Sequence, residues 1–340
     1  MRVDWRSSYE GIGNTFGYSI HDRKTREAMQ AKGWEIDPAA DLAITIGPAH
    51  SFEAAPGKRN LLYCAWESPT LPELYRTTCA AADVICVTAP FLQQPFQDLT
   101  GKPVHVVPEG VDPVFATVDR TKGKHRPWAG GRRFRFLWCG APSDRKGAEW
   151  VLEAFRLFLE GPCRKEFAGK VELYIKTSLP TDAKSYTGLV NVQDEIILDD
   201  RRISEPDLVR LYQSAHCFVF PTLGEGFGLT AAEAAATGCP VIYPPHTAMP
   251  QLFDDRCGFP LQTVTETHHW GWDDCDGRGT PMHLDAVMEI PTMRSLCEQM
   301  LRVYRDPPAA FARGMIAAQR MKQFTWARTA DLLTAALVSK

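Results

Sequence analysis

The sequence lacks any apolar run long enough to cross a membrane. No stretch of 18 apolar residues occurs, and the start MRVDWRSSYE has no hydrophobic segment typical of a signal peptide. It also lacks an excess of one charge, because 38 Lys and Arg face 41 Asp and Glu, a formal net charge of -3. This balance excludes a global attraction to nucleic acid or anionic membranes. We therefore expect a cytoplasmic protein without an integral membrane segment, and peripheral membrane contact stays open.

Metal and disulfide patterns are also missing. The ten cysteines form no C-x-x-C pair, and several lie in apolar runs such as LLYCAW (61–66), which is typical of thiols in a reducing compartment. The segment 267–283, THHWGWDDCDGRGTPMH, is rich in candidate ligands, but their spacing matches no zinc pattern. These candidates are His268, His269, Asp273, Asp274, Cys275, Asp276 and His283. We predict a surface insertion there and no metal site.

What the sequence does contain is an alternation of short apolar runs and helical stretches. The runs lie at 42–47, 61–66, 84–89 and 104–110, and again at 134–140, 171–177, 195–200, 217–222 and 240–245. Helical patterns between them cover 22–32, 71–81, 90–99, 147–160, 205–214 and 228–237. Continuous apolar strands separated by helices indicate parallel sheets, so the 340 residues predict an α/β fold of two Rossmann-like halves around a cleft.

A polar segment, DRTKGKHRPWAGGRR (119–133), separates the halves and is predicted to be the linker. It holds the densest basic cluster of the chain: Arg120, Lys122, Lys124, Arg126, Arg132 and Arg133. The cluster would suit a phosphate-bearing acceptor, and it is equally consistent with a solvated linker.

The most informative segment is PTLGEGFGLTAAEAAATGCPVI (221–242). A strand, a glycine-rich loop and a helix follow one another, so that backbone N–H groups at the helix start could bind a diphosphate. Glu225 lies in the loop, and Glu233 lies about one turn into the helix. The two acids therefore face different parts of one ligand, and hydroxyl-bearing sugar or ribose rings suit both.

This segment resembles the E-x7-E signature of retaining nucleotide-sugar glycosyltransferases of the GT-B fold, the glycogen-synthase-like family 4. VVPEGVDPVF (106–115), FRFLWCGAPSDRKGAEWVLEAF (134–155), ISEPDLVRLYQSAHCFVFPT (203–222) and FTWARTADLL (324–333) resemble further parts of that family in order. The resemblance implies a domain 1–125 completed by a C-terminal helix within 324–340 that crosses back onto it. Residues 126–323 would then form the nucleotide-sugar-binding domain.

The resemblance also implies roles. Glu225 would bind the donor sugar and Glu233 the ribose, while the amides of Gly226, Phe227, Gly228, Leu229 and Thr230 contact the diphosphate. Lys146, after the Gly140 turn, would neutralise the leaving diphosphate. The family often has an arginine where this chain has Ala141, and Arg145 is a candidate substitute for it. Lys176 is a further phosphate candidate, and Ile203 lies in the loop 198–204 that would meet the base.

The first half offers weaker candidates for the acceptor side. The glycine loop EGIGNTFG (10–17) contains Gly11, Gly13 and Asn14, and it also resembles a dinucleotide-binding fingerprint. The polar RSSYE before it argues against a dehydrogenase, because a fingerprint turn should leave the strand at once. Glu67 and His50 each follow a strand. The WES segment (66–68) resembles one found in a subset of the family at the place where other members carry an active-site histidine, so Glu67 is a candidate acceptor ligand or base.

From this resemblance we expect the chain to transfer a sugar from a nucleoside diphosphate sugar, UDP- or GDP-linked, to an acceptor hydroxyl by retaining front-face displacement without a cofactor. Glu225, Lys146 and Glu67 are the predicted catalytic residues. Glycan, lipid-linked, small-molecule and nucleic-acid acceptors remain open. An epimerase or hydrolase on the same fold and a non-catalytic nucleotide- or glycan-binding module are the alternatives.

Overall fold

The computed structural model describes residues 1–9, 17–115, 118, 133–141, 143–160, 164–167, 169–177, 195–272 and 282–338. Gly11, Gly13 and Asn14 lie outside the described residues, as do the predicted 125/126 boundary and the linker cluster except Arg133. Asp273, Asp274, Cys275 and Asp276 also lie outside them.

Two six-stranded parallel sheets form the frame, and a two-stranded antiparallel ribbon joins them. The first sheet has the order β2-β1-β3-β4-β5-β6, with β1 (Arg2–Ser7), β2 (Glu35–Ile36), β3 (Leu42–Ile46), β4 (Arg59–Cys64), β5 (Val84–Val87) and β6 (Val104–Val106). The second has the order β12-β11-β10-β7-β8-β9, with β7 (Phe134–Cys139), β8 (Val171–Lys176), β9 (Ile196–Asp199), β10 (Cys217–Val219), β11 (Val241–Tyr243) and β12 (Phe259–Pro260).

Helices connect these strands. Those of the first half are α1 (Gly17–Ala31), α2 (Leu74–Thr78) and α3 (Gln93–Thr100). The second half has α4 (Ala148–Glu160), α5 (Arg164–Phe167), α6 (Glu205–Ser214), α7 (Leu229–Ala236), α8 (Met249–Leu252), α9 (Met293–Arg305), α10 (Pro307–Met321) and α11 (Trp326–Val338). Side-chain caps fix some starts: the Ser204 hydroxyl accepts the Asp207 N–H before α6. No helix among the described residues is both long and apolar enough to span a membrane.

The predicted α/β fold with two Rossmann-like halves is confirmed. Several predicted strands end early, however: β6 stops at Val106 instead of 110, and β10 stops at Val219 instead of 222. Phe220 and Thr222 remain fully buried after β10. The apolar pattern therefore continues into loops that line the contact between the halves, which is why it overruns the hydrogen-bonded ladder.

The last helix, α11, packs on the first sheet. Ala330 and Leu333 share a buried cluster with Val3 and Ile44 of that sheet. The Thr329 hydroxyl donates to Pro108 O at 2.8 Å, which ties the helix to the end of β6. The predicted crossing-back of the C-terminal helix is therefore confirmed.

The ribbon, β13 (Thr263–Trp272) with β14 (Met282–Pro291), was missed by the sequence analysis, which treated 267–283 as a surface insertion. Every second residue of β14 is buried in the core of the first half: Leu284, Ala286, Met288 and Ile290. The alternation in LDAVMEI (284–290) is the period-2 signal of a half-buried strand and would have identified it.

Candidate active site

The candidate site lies where the strand order of the second sheet reverses. β7 pairs with β8 on one side and with β10 on the other, and ligands of such sheets bind at the carboxyl ends of the strands beside this reversal. Arg145 and Lys146 lie in a 3-10 turn after β7, and Glu225 lies in the loop after β10. The fold thus brings the two predicted donor-binding loops together.

Glu225 is the centre of a buried polar cluster. Lys146 Nζ donates to both of its carboxylate oxygens, at 2.5 and 2.7 Å, and Arg145 Nη1 lies 3.3 Å from Oε1. The Thr222 hydroxyl donates to Oε1 at 3.0 Å. Burial opposes the ionisation of Glu225, but the Lys146 and Arg145 cations outweigh it and hold its pKa below the ordinary value. Glu225 is therefore an ionised carboxylate with its cations already in place.

Arg145 extends this cluster to the first half of the chain. Its Nη2 lies 3.4 Å from Glu67 Oε1, and its Nη1 donates to Gly224 O at 2.6 Å. The Tyr18 hydroxyl also donates to Glu67 Oε1, at 3.4 Å. Glu67, Arg145, Glu225 and Lys146 are called the charged cluster below. It joins the carboxyl ends of β4, β7 and β10.

The glycines of the loop permit this close approach. A Cβ on Gly224 would lie inside van der Waals contact with Glu67 O, and a Cβ on Gly226 would lie 2.7 Å from the Ala65 Cβ. The Thr88 hydroxyl donates to Gly226 O at 2.7 Å. Any side chain at these two positions would push the loop away from the first half.

Glu233 has a different environment. It is the fifth residue of α7, 6% exposed, and its Oε2 accepts from the Tyr212 hydroxyl at 3.1 Å. Burial, reinforced by the Glu205, Asp112 and Glu109 carboxylates and only partly offset by that hydrogen bond, raises its pKa to about 8. Glu233 is therefore largely protonated at neutral pH.

The start of α7 completes the predicted donor surface. Gly228 has φ +91°, a left-handed conformation that suits glycine, and the helix begins at the next residue. Phe227 is buried, with its ring centroid 5.8 Å from that of Phe324. Leu229 and Thr230 are partly exposed, and Ile203 packs with Leu229 against the same core.

Other predicted residues lie elsewhere. The Lys176 ammonium donates to the carbonyl oxygens of Thr177 (2.7 Å), Asp199 (3.2 Å) and Arg201, so it holds the loop after β9, and a phosphate contact would require these bonds to break. Gly140 N–H donates to Lys176 O at 3.1 Å, which keeps the first turn after β7 tight. His50 lies in a 3-10 turn after β3, its ring centroid 6.3 Å from that of Tyr75.

Of the proposed metal-ligand candidates, His268 and His269 lie on β13, and the His269 ring Nδ1 is 2.7 Å from Asp285 Oδ1. Within the described parts of the chain, no three His, Cys, Asp or Glu side chains are grouped so as to hold a metal ion.

Sequence reasoning missed the loop after β11. The Glu225 N–H donates to the Thr247 hydroxyl oxygen at 3.1 Å, and the Ala248 N–H donates to Glu225 O at 3.2 Å. Because β11 is the neighbour of β10, its loop lies at the same carboxyl edge as Glu225. That placement was the available signal, and PPHTAMP (244–250) carries no motif of its own.

Solved structures show the class of fold. A sucrose-phosphate synthase from Thermosynechococcus elongatus aligns over 98% of both chains with a TM-score of 0.68 and 16% identity. TarM of S. aureus, solved with Fondaparinux, alpha-GlcNAc-glycerol and UDP, aligns over 94% of this chain and 59% of its own, with a TM-score of 0.62 and 11% identity. HepE of Anabaena, solved with UDP and glucose, covers 93% and 81% with a TM-score of 0.61 and 14% identity. The architecture is that of GT-B glycosyltransferases.

Sequence relatives are consistent with this class. The D-inositol 3-phosphate glycosyltransferase of Arthrobacter sp. (strain FB24) is 24% identical over 231 residues, which are 67% of this chain and 48% of that protein. The mannosylfructose-phosphate synthase of Agrobacterium fabrum is 25% identical over 179 residues, 49% of this chain and 38% of its own. The chain thus spans about half the length or less of these curated relatives. Residues 67–333 match the family described as "Family 4 Glycosyltransferase in conflict systems", and the chain belongs to this family.

Proposed function

We propose that this chain is a retaining glycosyltransferase that uses a nucleoside diphosphate sugar and transfers the sugar to an acceptor hydroxyl. The observation that carries the proposal is the charged cluster at the strand-order reversal, where two cations and the Glu225 carboxylate meet beside the start of α7. A diphosphate needs cations and helix-start N–H groups, and a sugar needs a carboxylate that accepts from its hydroxyls.

Donor binding would proceed by an exchange of partners. In the free protein the Lys146 ammonium and the Arg145 guanidinium contact Glu225. On binding, the diphosphate would take both cations, and the released Glu225 carboxylate would accept hydrogen bonds from sugar hydroxyls. Glu233, largely protonated at neutral pH, would bind the ribose as both donor and acceptor. Every buried charge then keeps a partner, which limits the cost of the exchange.

The reaction would be a front-face displacement. The bond between the anomeric carbon and the diphosphate oxygen breaks while the acceptor oxygen bonds to the same face of that carbon. The acceptor proton passes to the leaving diphosphate oxygen, so the products are a glycoside and a nucleoside diphosphate. Lys146 and Arg145 would stabilise the negative charge that develops on that diphosphate. This step would use no cofactor beyond the donor.

Glu67 marks the acceptor side in this proposal. It lies at the carboxyl end of β4 in the first half and contacts Arg145, so it faces the same space as the leaving group. A carboxylate there can accept a hydrogen bond from the acceptor hydroxyl and orient it. UDP- or GDP-linked sugars remain the proposed donors, and the UDP bound in the solved TarM and HepE structures supports the uridine version.

A ligand screen tests the donor class. Thermal unfolding should shift upward with UDP- or GDP-sugars, because a ligand that binds only the folded state stabilises it. Incubation with the selected donor alone, followed by NMR, should show slow diphosphate release, and addition of an acceptor should produce a glycoside of unchanged anomeric configuration. Rapid donor consumption without acceptor would indicate a hydrolase instead.

The Glu225→Ala variant distinguishes a transferase from a non-catalytic binding module. We expect turnover to fall about 100-fold or more while the nucleoside diphosphate still binds, since the carboxylate acts on the sugar. Glu298→Gln, an exposed acid of α9 that is remote in sequence from all four residues of the charged cluster, is the control and should leave both unchanged. Wild-type protein that binds sugar nucleotides but never transfers or cleaves them would refute the transferase.

A further inference from the structure

The loop after β11 contains His246, whose ring nitrogen Nε2 has no hydrogen-bond partner among the described residues. His246 Nε2 is shielded from solvent, and no hydrogen-bonding group of the described residues reaches it. A buried polar group left unsatisfied costs about 1–3 kcal/mol, so natural proteins rarely keep one without a use. The adjacent loop residue, Thr247, is bonded to the Glu225 N–H.

The bonds around Thr247 indicate which nitrogen of His246 carries the proton. The Thr247 hydroxyl oxygen accepts the Glu225 N–H at 3.1 Å and lies 3.3 Å from His246 Nδ1. Its own hydrogen finds an acceptor if Nδ1 is unprotonated, so this assignment pairs both the Glu225 N–H and the Thr247 hydroxyl hydrogen. Nε2 then carries the proton as a donor. Burial lowers the pKa of His246 to about 4, despite the Glu289 and Glu225 carboxylates, so the ring is neutral at physiological pH.

Backbone strain occurs at the same place. Thr247 has φ +49°, and it is the one non-glycine residue with positive φ among those the structure describes. A β-branched residue in this region costs about 1–3 kcal/mol. The strained backbone and the unused N–H lie on adjacent residues, both beside the acid that we propose binds the donor sugar. Such coincidence is typical of a ligand site.

We propose that His246 is a specificity-determining residue that donates its Nε2–H to a hydroxyl oxygen of the transferred sugar. This hydroxyl is adjacent to the one that donates a hydrogen bond to Glu225. This inference rests on the proposed function. It adds that the sugar has two neighbouring free hydroxyls at this end, one that accepts a hydrogen bond from His246 and one that donates to Glu225.

The surrounding charge restricts the sugar further. Glu225 and Glu289 are the charged groups that act on the His246 ring. Glu289 accepts from the Thr263 and Thr265 hydroxyls at 2.6 Å each, and these bonds hold its pKa below the ordinary value, so it stays ionised. Once the diphosphate has taken Lys146 and Arg145, a sugar carboxylate here would face the negative charges of Glu225 and Glu289. The site therefore selects a neutral hexose over a uronic acid.

Calorimetric titration of single variants tests the contact. The probes are UDP, UDP-glucose and UDP-glucuronic acid, or GDP, GDP-mannose and GDP-mannuronic acid, whichever nucleotide the donor screen selects. His246→Phe should weaken the neutral sugar nucleotide about 5–10-fold, the worth of one hydrogen bond, and leave the bare diphosphate within about twofold. His246→Gln, which offers an N–H at a similar reach, should recover part of the loss. The wild type should bind the uronic acid donor at least about tenfold more weakly than the neutral one.

Equal binding of the sugar nucleotide by His246→Phe and the wild type would overturn the proposal, and so would an equal loss for the bare diphosphate. Wild-type protein that binds no sugar nucleotide would remove the proposed function together with this inference. Wild-type protein that binds and transfers sugar, with a silent His246→Phe, would remove the inference alone.

Nitrogen-15 NMR of the wild-type histidines gives an answer that does not depend on the affinity of any variant. The His246 ring, assigned by its loss in His246→Gln, should show a neutral Nε2–H tautomer between about pH 6 and 8. Its Nε2–H signal should move when the neutral sugar nucleotide is added and stay in place with the bare diphosphate. An Nδ1–H tautomer, or a signal that moves equally with both, would contradict the assignment.

Discussion

The loop after β10 and the helix α7 carry one carboxyl group each, and their surroundings make the first group ionised and the second largely neutral at pH 7. Glu225, in the loop, contacts Lys146 and Arg145, which hold its pKa below the ordinary value. Glu233, in the helix, is buried with the Tyr212 hydroxyl as its hydrogen-bond donor and has a pKa of about 8. One segment therefore presents an anion and a neutral acid eight residues apart.

The comparison teaches that spacing alone does not assign the roles of two acids. Side chains of one chemical type acquire different functions when burial and neighbouring charges separate their pKa values. An ionised Glu225 can only accept hydrogen bonds, and it holds the two cations that we propose bind a diphosphate. A protonated Glu233 can donate one hydrogen bond and accept others, which suits the vicinal hydroxyls of a ribose.

The largest expected effect tests the charge of Glu233. Its pKa is about 8 in the folded protein, against an ordinary 4.5, so the folded state binds more protons between these values. Stability from this group is thus fully present below about pH 4.5 and is lost as the pH rises through 8. The unfolding free energy of the wild type relative to Glu233→Gln should fall by on the order of 4 kcal/mol between pH 5 and pH 9. Denaturant unfolding at a series of pH values measures it.

Glu205→Gln is the matched control for this profile, because Glu205 is an exposed acid that acts on Glu233. Its pH profile should parallel that of the wild type to within about 1 kcal/mol. If the Glu233→Gln profile also runs parallel to the wild type, Glu233 is ionised in the folded protein, and the contrast with Glu225 disappears.

The second prediction tests the ion pair of Glu225. Lys146→Met leaves a buried carboxylate with one cation fewer, and Glu225→Gln leaves the half-buried Lys146 ammonium without its anion and Arg145 with Glu67 alone. Each single variant should lose about 3 kcal/mol of unfolding free energy, and the double variant should lose less than their sum by about 2 kcal/mol or more. Denaturant unfolding of the four proteins at pH 7 provides this double-mutant cycle.

The surface pair Arg294 and Glu298 calibrates the cycle. Their side chains are 86% and 52% exposed, and Arg294 Nε lies 2.8 Å from Glu298 Oε1, a distance close to that of the buried pair. Its coupling should not exceed about 0.5 kcal/mol. A coupling of that size between Lys146 and Glu225 would mean that water screens the loop carboxylate, and the loop would then resemble a surface site.

Much of the second half was predictable from sequence, for a physical reason. Its strands are buried on both sides and read as continuous apolar runs, and the glycine-rich turn and α7 are adjacent in the chain. Local spacing therefore placed Glu225 and Glu233 on a loop and a helix. Lys146 and Arg145, about 80 residues earlier, came from the family resemblance, and the structure brings both to Glu225.

The features that could not be predicted from the sequence depend on tertiary contacts. The protonated state of Glu233 follows from burial and from Tyr212, 21 positions earlier. The Lys176 amine is engaged by carbonyl oxygens of a neighbouring loop, which no local pattern encodes. The ribbon of β13 and β14 packs on the other half of the chain, and its alternating pattern was overlooked beside a run of polar residues.

The smallest expected effect tests why the loop, unlike the helix, needs glycine. Gly224→Ala would place a methyl group against Glu67 O, and overpacking of this kind costs about 1–3 kcal/mol. The loop can relieve the clash only by moving away from the first half, which would also separate Arg145 from Glu67. Calorimetry should show the lower stability, and small-angle scattering should show a larger radius of gyration. Gly17→Ala is the control, because a Cβ there would meet no atom of the described residues within 4 Å. If both variants match the wild type in size and stability, the loop does not hold the two halves together, and the charged cluster, the ribbon and α11 must account for their contact.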